Sequence, residues 1–468
     1  MPVSLSARLR SWSRYSGRQW LAAVRLFVTK RLVLSGWYRK GAGPFKVKGI
    51  RLFAFRFEQS ESFQDDYFEI DGQQIPFTSP MDWQQSGREA LTGIRLRSWA
   101  WLRTSRLQAV SARTALRDFI ASEPNFPYRA EPYELSLRIQ HGCWWLWLTG
   151  GDDPLVENYI VDAAARLTLL TEDHLSNNHL VENGVALCWA GLLSDDRILR
   201  SRGLGILRRA WQLQLLPCGA QVEQSPMYQH ILLARCLETI GLMQSHGLEP
   251  ESEFLKPVAA RMAGWLGYLQ WRDGSFPVVN DSVERPLPSF PALADTLKQL
   301  DIVPAGPETV GPQVRLQNDH FECCFDVSGM EPGHCPGHAH SDALQVLLRV
   351  DGHPVLVDPG TSTYTSGPRR HEERSVFRHN TVHAAGEDPA EIIGAFRLGR
   401  APKVNLLKVS ENEAVAVLHA HYRHQRTLQL KVHELNLLDE VSDDRPMVAT
   451  FLVDKFCLPV LMNGRVTT

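Results

Sequence analysis

The sequence predicts an all-helical domain followed by an antiparallel β domain. Two features of the chain carry that expectation. From about Ala90 to Trp271 apolar residues recur at three- and four-residue spacing, and beyond a proline-rich stretch at 286–312 the period becomes two. The composition belongs to a packed chain: 44% of the 468 residues are hydrophobic and 22% charged, which excludes disordered, collagen-like and fibrous classes. At about 100–200 residues per domain, the length suggests two to four domains.

The chain opens on a basic arm. Of 50 Lys and Arg residues, thirteen precede Glu58, the first acid, so 37 cations face 52 acids in the remainder. Trp12, Tyr15, Trp20, Phe27, Trp37 and Tyr38 are interleaved with these cations. Such an arm suits an anionic polymer, a membrane surface or nucleic acid, or else packs on the body as a solvated, partly helical segment. Arg25, Lys30 and Arg31 interrupt the stretch from Trp20 to Tyr38, so no signal peptide is expected. This favours a cytoplasmic location, with the periplasm as the alternative. No run of 18 uncharged apolar residues exists, and no transmembrane helix is expected.

Seven helical stretches are predicted: Arg97–Ser122, Tyr133–Thr149, Pro154–Thr171, Ser176–Leu193, Asp196–Leu216, Pro226–Ser245 and Glu251–Trp271. Short breaks such as Pro217-Cys218-Gly219 imply antiparallel hairpins stacked as a bundle, solenoid or toroid. Strands are predicted at Phe321–Val327, Leu344–Val350 and Pro354–Val357, the last two joined by an Asp351-Gly352 turn. Others are predicted at Lys403–Ser410, Ala414–His421, Thr427–Leu437 and Val448–Val453. The expected division is a basic segment at 1–89, a helical domain at 90–285, a linker at 286–312 and a β domain at 313–468. Eight cysteines are too few for a disulfide scaffold, and no CxxC pair offers a thiolate zinc site. Adjacent Cys323 and Cys324 should point to opposite faces of a strand.

Three segments concentrate chemistry. Asn178, His179 and Glu182 open a predicted helix after Ser176, a candidate N-cap, and their three- and four-residue spacings let them share a face. In Glu223-Gln224-Ser225-Pro226-Met227-Tyr228, Ser225 suits an N-cap and Pro226 the first helical position. Tyr228 then lies in the first turn, where the helix dipole favours a phenolate by less than about 2 kcal/mol. The third segment holds seven of the seventeen histidines within fifty residues. On a strand, the alternation in His338-Ala339-His340-Ser341-Asp342 would place His338, His340 and Asp342 on one side. Two imidazoles and one carboxylate make an open zinc site, which His340, Asp358 and His379 would supply.

Taken together, these residues resemble the heparinase II/III family of polysaccharide lyases, including its relatives that cut alginate. The resemblance spans roughly Ala90 to Arg400. It rests most on His338-Ala339-His340-Ser341-Asp342, on Asp358-Pro359-Gly360-Thr361 with Tyr364, and on His379-Asn380-Thr381-Val382. Asn178-His179 with Glu182, and Gln224-Ser225-Pro226 before Tyr228, also match. The resemblance implies an incomplete (α/α) toroid followed by an antiparallel β-sandwich. It implies β-elimination at a uronic acid in an anionic polysaccharide, leaving a 4,5-unsaturated uronate end. Asn178 and His179 would hydrogen-bond the uronate carboxylate and disperse the charge that develops when C5 loses its proton. Glu182 would orient His179 or share a proton with the substrate. Tyr228 would take the C5 proton, give one to O4, or do both in turn, with His338 as the opposing acid or base. Gln224 and Tyr364 would bind substrate, and the metal would be structural or positioning. Family chains run further into the sandwich than Thr468, so either a trimmed sandwich or a further stretch of chain is expected.

Two rival readings have their own discriminators. A metal-dependent hydrolase of the metallo-β-lactamase type would need His at 343, where this chain has Ala343. A non-catalytic polysaccharide-binding or exopolysaccharide-assembly protein could use the same fold, and would bind polymer without turnover. Nucleic acid is not expected, since no recognised motif accompanies the arm. The sequence sets no oligomeric state.

Overall fold

The computed structural model describes residues 10–38, 57, 61–64, 66–85, 87–104, 107–151, 153–330, 332–334, 336–443 and 445–455. Parts of the basic arm, at 1–9 and 39–56, lie outside the described residues, as do Cys335 and Cys457.

Helices run from within the arm to just before residue 300: α1 (Gly17–Leu34), α2 (Ala90–Arg97), α3 (Ala109–Ser122), α4 (Pro132–Leu148), α5 (Pro154–Leu170), α6 (Asn178–Leu193), α7 (Arg197–Gln214), α8 (Pro226–Ser245), α9 (Leu255–Leu269) and α10 (Phe290–Gln299). A small antiparallel sheet, β1 (Ser62–Gln64), β2 (Tyr67–Ile70) and β3 (Gln73–Pro76), comes between α1 and α2. Its Phe63 and Phe68 stack at 4.2 Å and join the core of the helical domain beside Trp101. The predicted helix Arg97–Ser122 is broken, because Trp99 takes a left-handed φ of 66° and starts a short 3-10 turn. α10 lies inside the stretch read as linker, where Pro291 takes a place in its first turn.

Caps fix where the helices that matter begin. Ser225 accepts the backbone N–H of Tyr228 at 3.3 Å, and Pro226 starts α8, as its residue types predict. At α6 the cap is Asn177, whose Oδ1 accepts the N–H of His179 at 3.1 Å. Ser176 is displaced from that role by its left-handed φ of 49°. α6 and α7 approach closely through glycine. A Cβ on Gly203 would lie 2.4 Å from the backbone N of Cys188, and one on Gly191 equally near that of Arg200.

The β domain contains two four-stranded antiparallel sheets. One is β4 (Gln313–Gln317), β5 (Phe321–Asp326), β6 (Val346–Val350) and β7 (His353–Leu356), in that order. Next in the chain come α11 (Pro368–Arg374) and the short β8 (Val382–Ala384). The second sheet comprises β9 (Lys403–Val409), β10 (Glu413–His419), β11 (Arg423–Leu430) and β12 (Leu435–Ser442), also in chain order, and β13 (Met447–Ala449) pairs with β8. The predicted strand Thr427–Leu437 runs across the turn between β11 and β12. Val314, Leu316, Cys323 and Phe325 pack against Ala414, Ala416, Leu418 and Leu428 between the sheets. Cys324, one residue on, packs with Trp271, Val279 and Leu347 on the other face of its sheet. That alternation turns β5 into the seam: one side closes the sandwich, and the other meets the helical domain. Arg315 reinforces the seam by donating to the carbonyls of Leu269 (2.6 Å) and Gln270 (2.9 Å). The architecture is an incomplete (α/α) toroid followed by an antiparallel β-sandwich. Among the described residues all six cysteines are buried and unbridged, and no helix is long and apolar enough to cross a membrane.

Candidate active site

Tyr228 enters the site from the first turn of α8. Its hydroxyl donates to the Tyr364 hydroxyl at 3.1 Å, and its ring lies on that of His338 with centroids 3.9 Å apart. Burial pushes the Tyr228 pKa well above its usual 10, with Tyr364, Asp281 and Tyr133 adding to the rise. The modest help from the helix end is outweighed, so Tyr228 is held as a neutral phenol.

His338 is not on a strand. The segment from His338 to Asp342 is an irregular loop, and it converges on an acid that the sequence reading did not single out. Asp281, fully buried, accepts His338 Nδ1 on Oδ2 and His340 Nε2 on Oδ1, each at 2.8 Å. Arg370 clamps the same carboxylate through both terminal nitrogens, and also donates to Thr361 Oγ1 at 2.7 Å. Burial alone would raise the Asp281 pKa. Hydrogen bonds from the two imidazoles, then Arg370, hold it well below the usual carboxylate range. With Nδ1 engaged, His338 is left with Nε2, which is 3.6 Å from Glu223 Oε1. The other Glu223 oxygen accepts the backbone N–H of Asn178 at 3.1 Å, tying the start of α6 to the same cluster.

Asn178 is buried, with its Oδ1 unpartnered among the described residues. His179 stacks on Tyr133 at 4.2 Å and pairs through Nδ1 with Glu172 at 3.1 Å. Burial pulls the His179 pKa down, but Glu172, with Glu223 and Glu182 beyond it, raises it above the usual value. Glu182, expected either to orient His179 or to share a proton with the substrate, does not take the first role. Instead it accepts Gln140 Nε2 at 2.6 Å and Arg235 Nε at 3.3 Å within the toroid interior. The partner of His179 comes from the loop before α6, out of reach of any helical spacing rule. Gln224 sits at a left-handed φ of 56°, where its carbonyl accepts Asn280 Nδ2 at 3.3 Å, and its Oε1 is buried without a partner among the described residues.

Asn178, His179, Tyr228, His338 and Tyr364 line one cleft of about 500 Å³ between the helical and β domains. Glu182 lines an adjoining hollow that shares Tyr133, Tyr228 and Tyr364. Gln224, nearly buried, is not among the residues that line either space.

The three residues expected at a metal occupy neighbouring positions. His379 Nδ1 meets Asp358 Oδ2 at 2.7 Å, and the His340 and His379 rings are 5.4 Å apart. Among the described residues no group of three His, Cys, Asp or Glu side chains converges as a metal-holding set. The donor types nevertheless fit a divalent ion: with Nε2 on Asp281, His340 leaves Nδ1 buried and unpartnered, and His379 leaves Nε2 likewise. Burial lowers the His340 pKa to about 4, so this imidazole is neutral.

Asp281, Arg370 and Glu172, which hold the candidate site residues in place, have no counterpart in the sequence reading, and Glu223 appears there without a role. The available sign for Asp281 was a polar triplet, Asn280-Asp281-Ser282, directly after the apolar Val278-Val279 in a stretch without period. Arg370 gave none.

The toroid followed by the sandwich is a fold that this chain shares with solved heparinase III structures. The structure matches one described as "Crystal Structure of Heparinase III" at a TM-score of 0.57 and 15% identity, over 92% of this chain and 73% of that one. It matches the "Heparinase III-BT4657 gene product" at a TM-score of 0.55 and 16% identity, over 78% of this chain and 67% of that one. No curated protein matches the chain in sequence. Residues 310–448 match the family described as Heparinase II/III-like, C-terminal. That match lies in the β domain; over the rest of the chain the likeness is one of fold.

Proposed function

We propose that the chain is a polysaccharide lyase that cleaves a uronic-acid-containing anionic polysaccharide by β-elimination. The observation that carries this reading is the meeting of Asn178, His179, Tyr228, His338 and Tyr364 in one cleft. The C5 proton of a uronate is hardly acidic, because its removal places a second negative charge on the carboxylate. His179, whose pKa is raised, and Asn178 are the groups available to bind that carboxylate and stabilise the extra charge. The Asp281 carboxylate holds Nδ1 of His338, which leaves Nε2 as the base for C5. Tyr228, kept protonated by burial, suits the complementary role: it gives its proton to O4 as the C4–O4 bond breaks. Tyr364 accepts from the Tyr228 hydroxyl and orients it. The product would carry a C4=C5 double bond conjugated with the carboxylate.

A divalent metal, zinc by its ligand types, belongs to the same proposal, held by His340, Asp358 and His379. Bound there, it would brace the β-domain wall of the cleft; the elimination itself is assigned to protein side chains. The test is ultraviolet detection of unsaturated product from a panel of uronate polymers, with wild type and Tyr228→Phe. Formation of product that depends on Tyr228 supports the reading. Saturable binding with no product from any polymer would select the non-catalytic alternative.

A further inference from the structure

The proposed elimination makes no use of the basic arm, yet the arm reaches the cleft. Trp12, Arg14 and Tyr15 line the same space as Tyr228 and His338. Both domains hold the arm there. On the helical side, α1 is tied by Arg25 to Asp173 (2.7 Å) and by Lys30 to Glu131 (2.8 Å). On the β side, Arg10 forks onto Glu391 (2.6 and 3.0 Å), and Arg14 donates to the carbonyls of Gly399 (2.7 Å) and Gly333 (2.9 Å).

Arg14 also lines a second hollow, of about 670 Å³, together with Arg10, Arg400, Lys403, His419 and His421. No carboxylate lines it; of the acids beside it, Glu391 is engaged by Arg10, and Glu387 by Arg445 at 2.7 Å and His421 at 3.2 Å. With Arg10 paired to Glu391, Arg14, Arg400 and Lys403 still leave this space an excess of positive charge that the surrounding body, with 52 acids, does not share. The ridge between the two spaces is the arm at Arg14 and the loop carrying Phe396, Arg397 and Arg400. Trp12, 39% exposed, presents an apolar face of the kind on which sugar rings pack.

We propose that the arm and this basic hollow form an extended subsite for the same anionic polymer, holding sugar units beyond those in the cleft. The inference rests on the cleft being a polysaccharide site, but not on elimination taking place there. Long chains span both spaces; a tetrasaccharide fills the cleft alone.

The test measures binding of size-fractionated heparan sulfate and alginate by fluorescence polarisation, with turnover assayed separately. Arg400→Glu/Lys403→Glu is the main variant, since both side chains are exposed and neither packs in a core. Wild type should bind long chains more tightly than tetrasaccharides. That advantage should fall about three- to tenfold in the variant, and should shrink with added salt in wild type. An unchanged ratio, no binding of either polymer, or better competition by a DNA duplex than by polymer would overturn the proposal. So would tighter binding in Trp12→Ala, which would make the arm a plug. Polymer binding without turnover would instead remove the lyase reading and leave this subsite standing.

Discussion

The rings of Tyr228 and His338 lie 3.9 Å apart between centroids and are tilted by 31°, one carried by the first turn of α8 and the other by a loop of the β domain. This contact assembles the site across the domain seam. It also divides the proton chemistry: the phenol is held neutral by burial, and the imidazole is oriented by Asp281.

Tyr228→Phe preserves the stacked ring and removes only the hydroxyl. Loss of a general acid lowers rate by about 10²–10⁴, so kcat should fall within that range while thermal unfolding stays close to wild type. Initial rates and melting curves on the same preparation check both halves. A loss below tenfold would assign the O4 proton elsewhere.

Asp281→Ala leaves His338 and His340 without their acceptor and Arg370 buried without its counter-charge. Breaking a buried ion pair in this way costs about 3–5 kcal/mol, measurable as a lower urea midpoint at unchanged slope. Arg369→Ala, on the exposed side chain next to the clamp, is the control and should shift stability by less than about 0.5 kcal/mol.

The His179–Glu172 pair predicts a specific pH behaviour. The folded pKa of His179 is raised above its ordinary value of about 6.5. Its contribution to stability is therefore fully present below about pH 6.5 and is lost as pH rises through the folded pKa. Glu172 has the opposite sign: its pKa is lowered, so its share is lost as pH falls through the folded value. Titration of the His179 ring by NMR should give a value above 6.5, and Glu172→Gln should bring it down. A His179 value at or below 6.5 in wild type would refute the pairing.

Gly203→Ala tests the packing of the toroid. The added Cβ would meet the backbone N of Cys188 at 2.4 Å, with no flexible side chain to give way. Overpacking of this kind costs about 1–3 kcal/mol. Gly205→Ala, two residues on with nothing within 4 Å, should instead be neutral or stabilising, since alanine favours a helix. Chemical denaturation of the two variants gives the comparison.

Metal content gives an independent measurement. Purified chain should carry close to one zinc by elemental analysis, and His340→Ala should lower that stoichiometry and the apparent metal affinity at once. A metal-free wild type that takes up none on titration would leave His379–Asp358 as a simple hydrogen-bonded pair.

What the sequence determined was local. The change of hydrophobic period separates helices from strands, because a helix and a strand bury their faces at different spacings. Ser225-Pro226 marks the start of α8, because the cap and first-turn preferences depend on neighbouring backbone groups alone. Residue chemistry likewise brought Asn178, His179, Tyr228 and His338 forward, and the family resemblance added Tyr364; all of them line the cleft. The tertiary structure decided how these residues are wired. Asp281 comes from a loop and Arg370 from α11, far apart in the chain, and their roles exist only once burial leaves each charge dependent on the other. The same reason moved Glu182 from His179 to Arg235, since in the toroid interior a buried carboxylate is stabilised by the nearest buried cation. It also brought Arg14 of the basic arm to the wall of the cleft, through carbonyls of the β domain that no periodicity along the arm could reveal.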